Sequence, residues 1–333
     1  MSYGGTDKYV YLIMKYASQI DDTFNHVLIY NGNSKDLKRL PNFISLFGEE
    51  KCIAFYSQEQ YVDIVKNIRP FILHRHAGGI PEFPFVNEVK EYCKNFIDTG
   101  TFGNIDDTIN IDRVLYLSEY LKMVSKRDSL PKYRSIYWPV EDPISSHNLR
   151  SEFGIPKEAF VFGRIGRPDN SIYHNINVKA FNEIQKENVY FLVLAPSENL
   201  INEVNELGVK NVRYVDKTVD EYRISSFYNT IDVLSHARLD GETYGMNIVE
   251  AMSHGKPTIS HYSEVYNAHL EIIRDCGFTV MHNDYLEYAK IMKRFVDKDI
   301  DISYLNKRCK ENFKRFSAIS QTKKTLDVYK ELL

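Results

Sequence analysis

No apolar run in this sequence approaches the ~20 residues that a helix needs to span a bilayer. No secretory leader is expected either, because Asp7, Lys8 and Lys15 interrupt what would be its apolar core. Cysteine is sparse. Cys52, Cys93, Cys276 and Cys309 lie far apart in the chain and form no CxxC pair. That excludes a disulfide scaffold and an ordinary zinc motif, and it fits a reducing cytoplasm. Neither sign of charge dominates: 42 Lys and Arg stand against 45 Asp and Glu, a net charge of −3. A nucleic-acid partner would call for a basic surplus, so none is expected. Tryptophan occurs once, while 24 Tyr and 19 Phe supply aromatic bulk for cores.

What is present suits a folded globular chain, with 43% hydrophobic and 26% charged residues. A length of 333 residues makes two domains the default. Short β-rich runs alternate with helical periodicity throughout. The runs 26–30, 52–56, 71–74, 96–98, 113–117 and 135–138 read as strands. After a polar break, so do 160–165, 190–194, 212–215, 232–235, 257–260 and 278–280. Val10, Ile13, Met14 and Ala17 show the helical spacing between them. Such βαβα alternation predicts parallel sheets covered by helices on both faces. The aperiodic, Pro-containing stretch from Pro139 to Ser151 marks a boundary. The expected division is an N-terminal domain over 1–143, a C-terminal domain over 144–316, and a closing helix over 317–333 that packs back toward the first. Two doubly wound domains would face each other across a cleft, where ligands gather at the carboxyl ends of strands.

The segment from Ile231 to His261 carries the chemistry. A buried strand is followed by a loop with Glu242, then a helix from Met246 to His254 that Gly255 and Pro257 terminate. Around Gly241, Thr243, Tyr244, Gly245 and Met246, backbone N–H groups and a helix N-terminus would favour a diphosphate. Glu242 and Glu250 suit sugar or ribose hydroxyls and would be repelled by the phosphates. A lone Glu250 would read as a surface residue, but Ile248, Val249, Ala251 and Met252 crowd it toward the sheet.

Gly241-Glu242-x7-Glu250-Ala251-Met252-x2-Gly255-x-Pro257 resembles the signature of the retaining GT-B glycosyltransferases, family 4. Phe162-Gly163-Arg164-Ile165 resembles the "GR" strand end of that fold's C-terminal domain. His74-Arg75-His76 resembles its N-terminal His-x-His, and Gly4-Gly5-Thr6-Asp7 its glycine loop. The run from Phe313 to Tyr329 resembles its closing helices. The resemblance implies transfer of a hexose from a nucleoside diphosphate sugar, UDP- or GDP-linked, to a saccharide or glycosylated acceptor. It implies retention of anomeric configuration without a metal or other cofactor. Catalytic roles fall to Glu242, His76 and Arg164. Donor binding falls to Glu250, Arg164, Arg167, Gly241, Thr243, Tyr244, Gly245, Met246, Lys217, Gly4 and Gly5.

Two departures stand out. A Lys that the family places after the "GR" arginine is missing, since none precedes Lys179, and Arg167 is the candidate replacement. Only three residues precede Gly4, about 11 Å of chain, too short for the usual first strand. The first strand is therefore expected to be absent, with Thr6-Asp7 capping the first helix. The strand at 26–30 is then expected to pair directly with that at 71–74, or the natural chain begins further upstream. Ser118-Glu119 reads as a helix N-cap. Lys122, Lys126 and Arg127, beside Leu121 and Met123, read as a solvated face, with peripheral membrane contact as the alternative. A nicotinamide oxidoreductase is excluded because no GxGxxG follows any strand. The competing reading is a non-catalytic GT-B scaffold that binds nucleotide sugars.

Overall fold

The computed structural model describes residues 5–34, 37–77, 86–103, 111–125 and 132–333. They form two compact units. One comprises the chain up to Pro139 together with Ala318–Leu333, and the other Val140–Ser317.

The first unit opens with α1 (Gly5–Ile20), β1 (Leu28–Asn31), α2 (Leu40–Phe47), β2 (Cys52–Phe55), α3 (Gln58–Ile68) and β3 (Ile72–Ala77). It continues with α4 (Val86–Lys90), β4 (Asn95–Gly100), β5 (Arg113–Tyr116), α5 (Glu119–Val124) and β6 (Tyr133–Ser135). Strands β3, β4, β5 and β6 form one parallel sheet in that order, and β1 pairs in parallel with β2 in another. The expected pairing of β1 with β3 is not found among the described residues. Helix α1 joins the two sheets through side chains instead. Its Met14 packs with Phe43 and Cys52 near β1 and β2, while Ala17 packs with Ile97 and Leu115 of the other sheet. Strand β1 is only partly buried along its length.

Helix α1 already runs from Gly5, so Thr6 and Asp7 lie inside its first turn rather than capping it. A Cβ on Gly5 would come within 2.4 Å of the Trp138 ring, so packing favours glycine here. Gly4 and the three residues before it lie outside the described residues. Ser118 does cap α5, its Oγ accepting from Leu121 N–H at 3.1 Å. Leu121 is buried, which removes it from any membrane-facing surface, whereas Met123 is exposed. Lys126 and Arg127 lie outside the described residues. No helix among the described residues is long and apolar enough to cross a membrane.

The second unit contains β7 (Phe160–Ile165), α6 (Ile176–Ile184), β8 (Val189–Leu194), α7 (Glu198–Glu206), β9 (Val212–Val215), α8 (Glu221–Thr230) and β10 (Val233–Ser235). There follow β11 (Gly241–Glu242), α9 (Met246–Ser253), β12 (Thr258–His261), β13 (Tyr266–Asn267), α10 (Ala268–Ile273), β14 (Gly277–Val280), α11 (Tyr285–Val296) and α12 (Ile302–Phe313). The wholly apolar β8 is buried along its length, as a strand covered on both faces must be. The main sheet is parallel in the order β14-β12-β10-β7-β8-β9. The chain winds outward from β7 through β8 and β9, then returns beside β7 with β10. This is the doubly wound topology, and its switch point lies between β7 and β10, where such sheets bind ligands. Phe162, Phe181, Phe191 and Tyr288 are among the large side chains of its core.

The last helix, α13 (Ala318–Lys330), belongs to the first unit. Leu326, Val328 and Tyr329 pack with Ala17 of α1, and Lys330 pairs with Asp21.

Candidate active site

Residues from both strands at the switch point meet at their carboxyl ends. Arg164, near the end of β7, is only 4% exposed, and its Nε and Nη1 have no hydrogen-bond partner. Burial lowers the pKa of the guanidinium below its ordinary value. Keeping a charge out of water without a counter-ion costs several kcal/mol, so such a group marks a place where an anion is expected.

His236 follows β10 and is buried. The side-chain amide of Asn247, in the first turn of α9, donates to Ile165 O at 3.0 Å and lies 3.2 Å from His236 Nδ1. That contact makes Nδ1 the acceptor and leaves the proton on Nε2. Nε2 makes no hydrogen bond and lies 3.5 Å from Glu242 Oε1, at the outer limit of such a bond. Burial, with His269, His261 and two arginines around it, holds the His236 pKa well below the usual imidazole value, so the ring is neutral.

The Glu242 side chain is 16% exposed and lies 4.0 Å from the Arg238 guanidinium. Burial raises its pKa to about 7, against the opposing pull of Arg238 and Arg167 and with a further push from Asp240. Glu242 does not sit on a free loop as the sequence suggested. With Gly241 it forms β11, which pairs with Tyr266 and Asn267 of β13. Gly241 has φ of +66°, and a Cβ there would lie 1.8 Å from Tyr266 O, so this glycine is required by the strand pairing itself. Gly245, at φ +98°, is the left-handed N-cap of α9. Met246 is the first residue of that helix, and Thr243 is half-buried beside it. The Tyr244 ring is buried against Phe316, so only its backbone is available to a ligand.

Glu250 lies one turn into α9. Its Oε2 accepts from Tyr228 OH at 2.8 Å, and the same hydroxyl reaches Asn247 O at 3.0 Å. The carboxylate is thus held in place on the helix. Helix α9 ends as the sequence indicates, with Gly255 at φ +70°. Arg167 is exposed on the connection after β7, and its charge reaches Glu242. Lys217 is exposed on the loop after β9.

In the first unit, His74 is a satisfied core histidine, its ring nitrogens 2.7 Å from Tyr329 OH and 2.8 Å from Thr99 Oγ1. His76 is half-buried at the end of β3, with the Tyr9 ring edge-on to it and Nδ1 unpartnered. Burial lowers its pKa to about 3.

The second unit therefore brings Arg164, Glu242 and the charge of Arg167 together, with Glu250 one turn along. Sequence reasoning missed His236, Arg238 and Asn247. The available signal was their placement, since His236 directly follows a strand and Asn247 lies in the first turn of the helix.

The family model for "Glycosyl transferases group 1" matches residues 145–316, more than half of the chain. No curated protein matches the sequence. Solved structures do share the fold. A glycosyltransferase from Rickettsia africae superposes with a TM-score of 0.79 at 18% identity, covering 99% of this chain and 95% of that one. HepE from Anabaena, in complex with UDP and glucose, gives 0.77 at 14%, covering 98% and 96%. The lipopolysaccharide outer core galactosyltransferase WaaB gives 0.69 at 13%, covering 99% and 96%. The α/β fold is thus that of the GT-B glycosyltransferases, and the chain belongs to the glycosyl transferases group 1 family.

Proposed function

We propose that this glycosyltransferase moves a hexose from a nucleoside diphosphate sugar to a saccharide or glycosylated acceptor, with retention of configuration. The observation that carries the reading is the buried Arg164 guanidinium with two unpartnered nitrogens at the switch point. A diphosphate there would receive its N–H groups, and the same groups would stabilise the leaving nucleoside diphosphate as charge develops. The N-terminus of α9 and Arg167 add positive potential, so the departure of the diphosphate needs no divalent cation. Glu242 faces the sugar, where His236 and Arg238 bear on its carboxylate. Glu250 accepts hydrogen bonds from the ribose, with Tyr228 fixing its orientation. Lys217 borders the base. Four free thiols suit work in the reducing cytoplasm.

The donor is UDP- or GDP-linked. The UDP and glucose bound to HepE put UDP-glucose first in a screen. The test is incubation with UDP- and GDP-hexoses and a panel of glycoside acceptors, with the product anomer assigned by NMR. Transfer with retention supports the reading. An inverted product overturns the retaining mechanism, and nucleotide-sugar binding without turnover on any acceptor favours the scaffold alternative.

A further inference from the structure

Three histidines that the donor site leaves unused converge at the carboxyl edge of the second unit's sheet. His174 lies on the connection from β7 to α6, His261 closes β12, and His282 follows β14. One ring nitrogen from each lies within 4.8 Å of the other two. His174 is 3% exposed and His261 1%, while the His282 side chain is 22% exposed and offers a route in from solvent.

A single carbonyl orients two of the rings. Nδ1 of His261 donates to Tyr262 O at 2.7 Å, and Nδ1 of His282 reaches the same oxygen at 3.3 Å. Neutral rings held this way carry their lone pairs on Nε2. Metal-binding histidines are oriented in the same manner, by giving the other ring N–H to a carbonyl or carboxylate. His261 Nε2 meets only a long contact from Arg238 N–H, at 3.4 Å. His282 Nε2 lies 3.6 Å from a Glu264 carboxylate oxygen, so two acceptors face one another unless a cation or a proton stands between them. On the third ring, Nε2 of His174 is buried without a hydrogen-bond partner. Its Nδ1 accepts from Ile176 N–H at 3.1 Å, the one bond that ligation through Nε2 would give up.

We propose that His174, His261 and His282 form a binding site for one divalent transition-metal ion of the zinc class. Three imidazoles select Zn²⁺, Co²⁺, Ni²⁺ or Cu²⁺ over Mg²⁺ and Ca²⁺, which require oxygen ligands. Glu264 or a water molecule completes a tetrahedron. Zn–N bonds of about 2.0–2.1 Å place the nitrogens closer together than they stand here, a difference that side-chain rotation closes. The ion would tie together the connections after β7, β12 and β14. Its role is structural, and no step of glycosyl transfer passes through it.

The test uses the full chain without nucleotide, because diphosphates also bind metals. Zn²⁺ is titrated against a chromophoric chelator, and the visible spectrum of a Co²⁺ complex is recorded. The expected result is one Zn²⁺ per chain, a four-coordinate Co²⁺ spectrum, a raised melting temperature with Zn²⁺, and no competition from Mg²⁺. His282→Ala, at the most exposed of the three, is expected to fold normally and to weaken Zn²⁺ binding by at least the roughly 10–100-fold that loss of a mere outer-shell partner costs. His174→Ala is expected to do the same. Absence of stoichiometric binding to the wild type, or binding retained by both variants, overturns the proposal. Because the readout is the metal alone, either result leaves the donor reading where it stood.

Discussion

Glu242 offers a measurement that tests both its burial and its role. Its carboxyl group titrates near 7 in the folded chain, against 4.5 when unperturbed. A raised acid pKa means that the folded state holds its proton longer than the unfolded state does. Stability is therefore lost as pH rises from the unfolded value through the folded one. A displacement of about 2.5 units corresponds to about 3 kcal/mol at pH 8 and above, an upper bound, and to almost nothing below pH 4. Glu242→Gln removes the ionisation while keeping the shape. The variant should match the wild type in acid and exceed it by up to about 3 kcal/mol in base. Denaturation midpoints of the two proteins between pH 4 and 9 measure this directly. A gap that does not change with pH would refute the argument. In the same variant transfer should fall by about 10²–10³, the usual cost of losing a placed electrostatic group. The affinity for free nucleoside diphosphate should change little if, as proposed, the carboxylate faces the sugar. Equal loss of nucleotide binding would sink that assignment.

Glu250→Ala should weaken nucleoside diphosphate binding about tenfold or more, as the loss of a charge-assisted hydrogen bond implies, and unchanged calorimetric affinity would contradict a ribose contact. Arg164→Ala should abolish detectable donor turnover yet raise the melting temperature of the free protein, since it deletes a buried, unpaired charge; a destabilised variant would count against that reading. Arg167→Ala should lower donor affinity about tenfold if, as proposed, it stands in for the missing Lys, and an unchanged Kd excludes the substitution. Addition of Mg²⁺ or Mn²⁺ should leave the transfer rate unaltered, and a rate that depends on either ion would overturn the metal-free departure of the diphosphate.

The strands of the second unit were legible because parallel strands buried on both faces are written as short apolar runs between punctuated helices. Helix α9 was legible at both ends, from Gly245 to Gly255 and Pro257. Less visible were features that depend on partners distant in sequence. Nothing local reveals that Gly241 and Glu242 form a strand, because the pairing comes from Tyr266 and Asn267, about 25 residues further on. At Gly241 the Tyr266 carbonyl stands where a Cβ would be, a requirement that only the folded pairing reveals. In the first unit, direct pairing of β1 with β3 followed from the cost of unpaired backbone. That pairing is not found among the described residues, where Met14 and Ala17 of α1 serve two separate clusters. The histidine cluster was invisible for a related reason. His174, His261 and His282 have no motif spacing and meet only because β7, β12 and β14 end on one edge of the sheet.

The same edge explains why this chain concentrates unfavourable electrostatics in one place. Arg164 lacks a counter-ion, Glu242 is pushed toward its neutral form, and the His236 Nε2 proton has no close acceptor. Each of these would be tolerated poorly in a core, and together they offset part of the stability that the packed sheet beneath them provides. Asn247 keeps the arrangement from relaxing. Its amide ties the first turn of α9 to Ile165 at the end of β7 and sets the tautomer of His236, while its backbone carbonyl takes the Tyr228 hydroxyl that also holds Glu250. One residue thus links the strand bearing Arg164, the strand leading to His236 and, through Tyr228, the Glu250 carboxylate. The fold sets the two acids in different surroundings. Glu242 is enclosed beside a neutral ring, whereas Glu250 lies on the helix against a hydroxyl donor. A bound diphosphate would supply the counter-charge that Arg164 lacks, so donor binding and relief of this local frustration are one event.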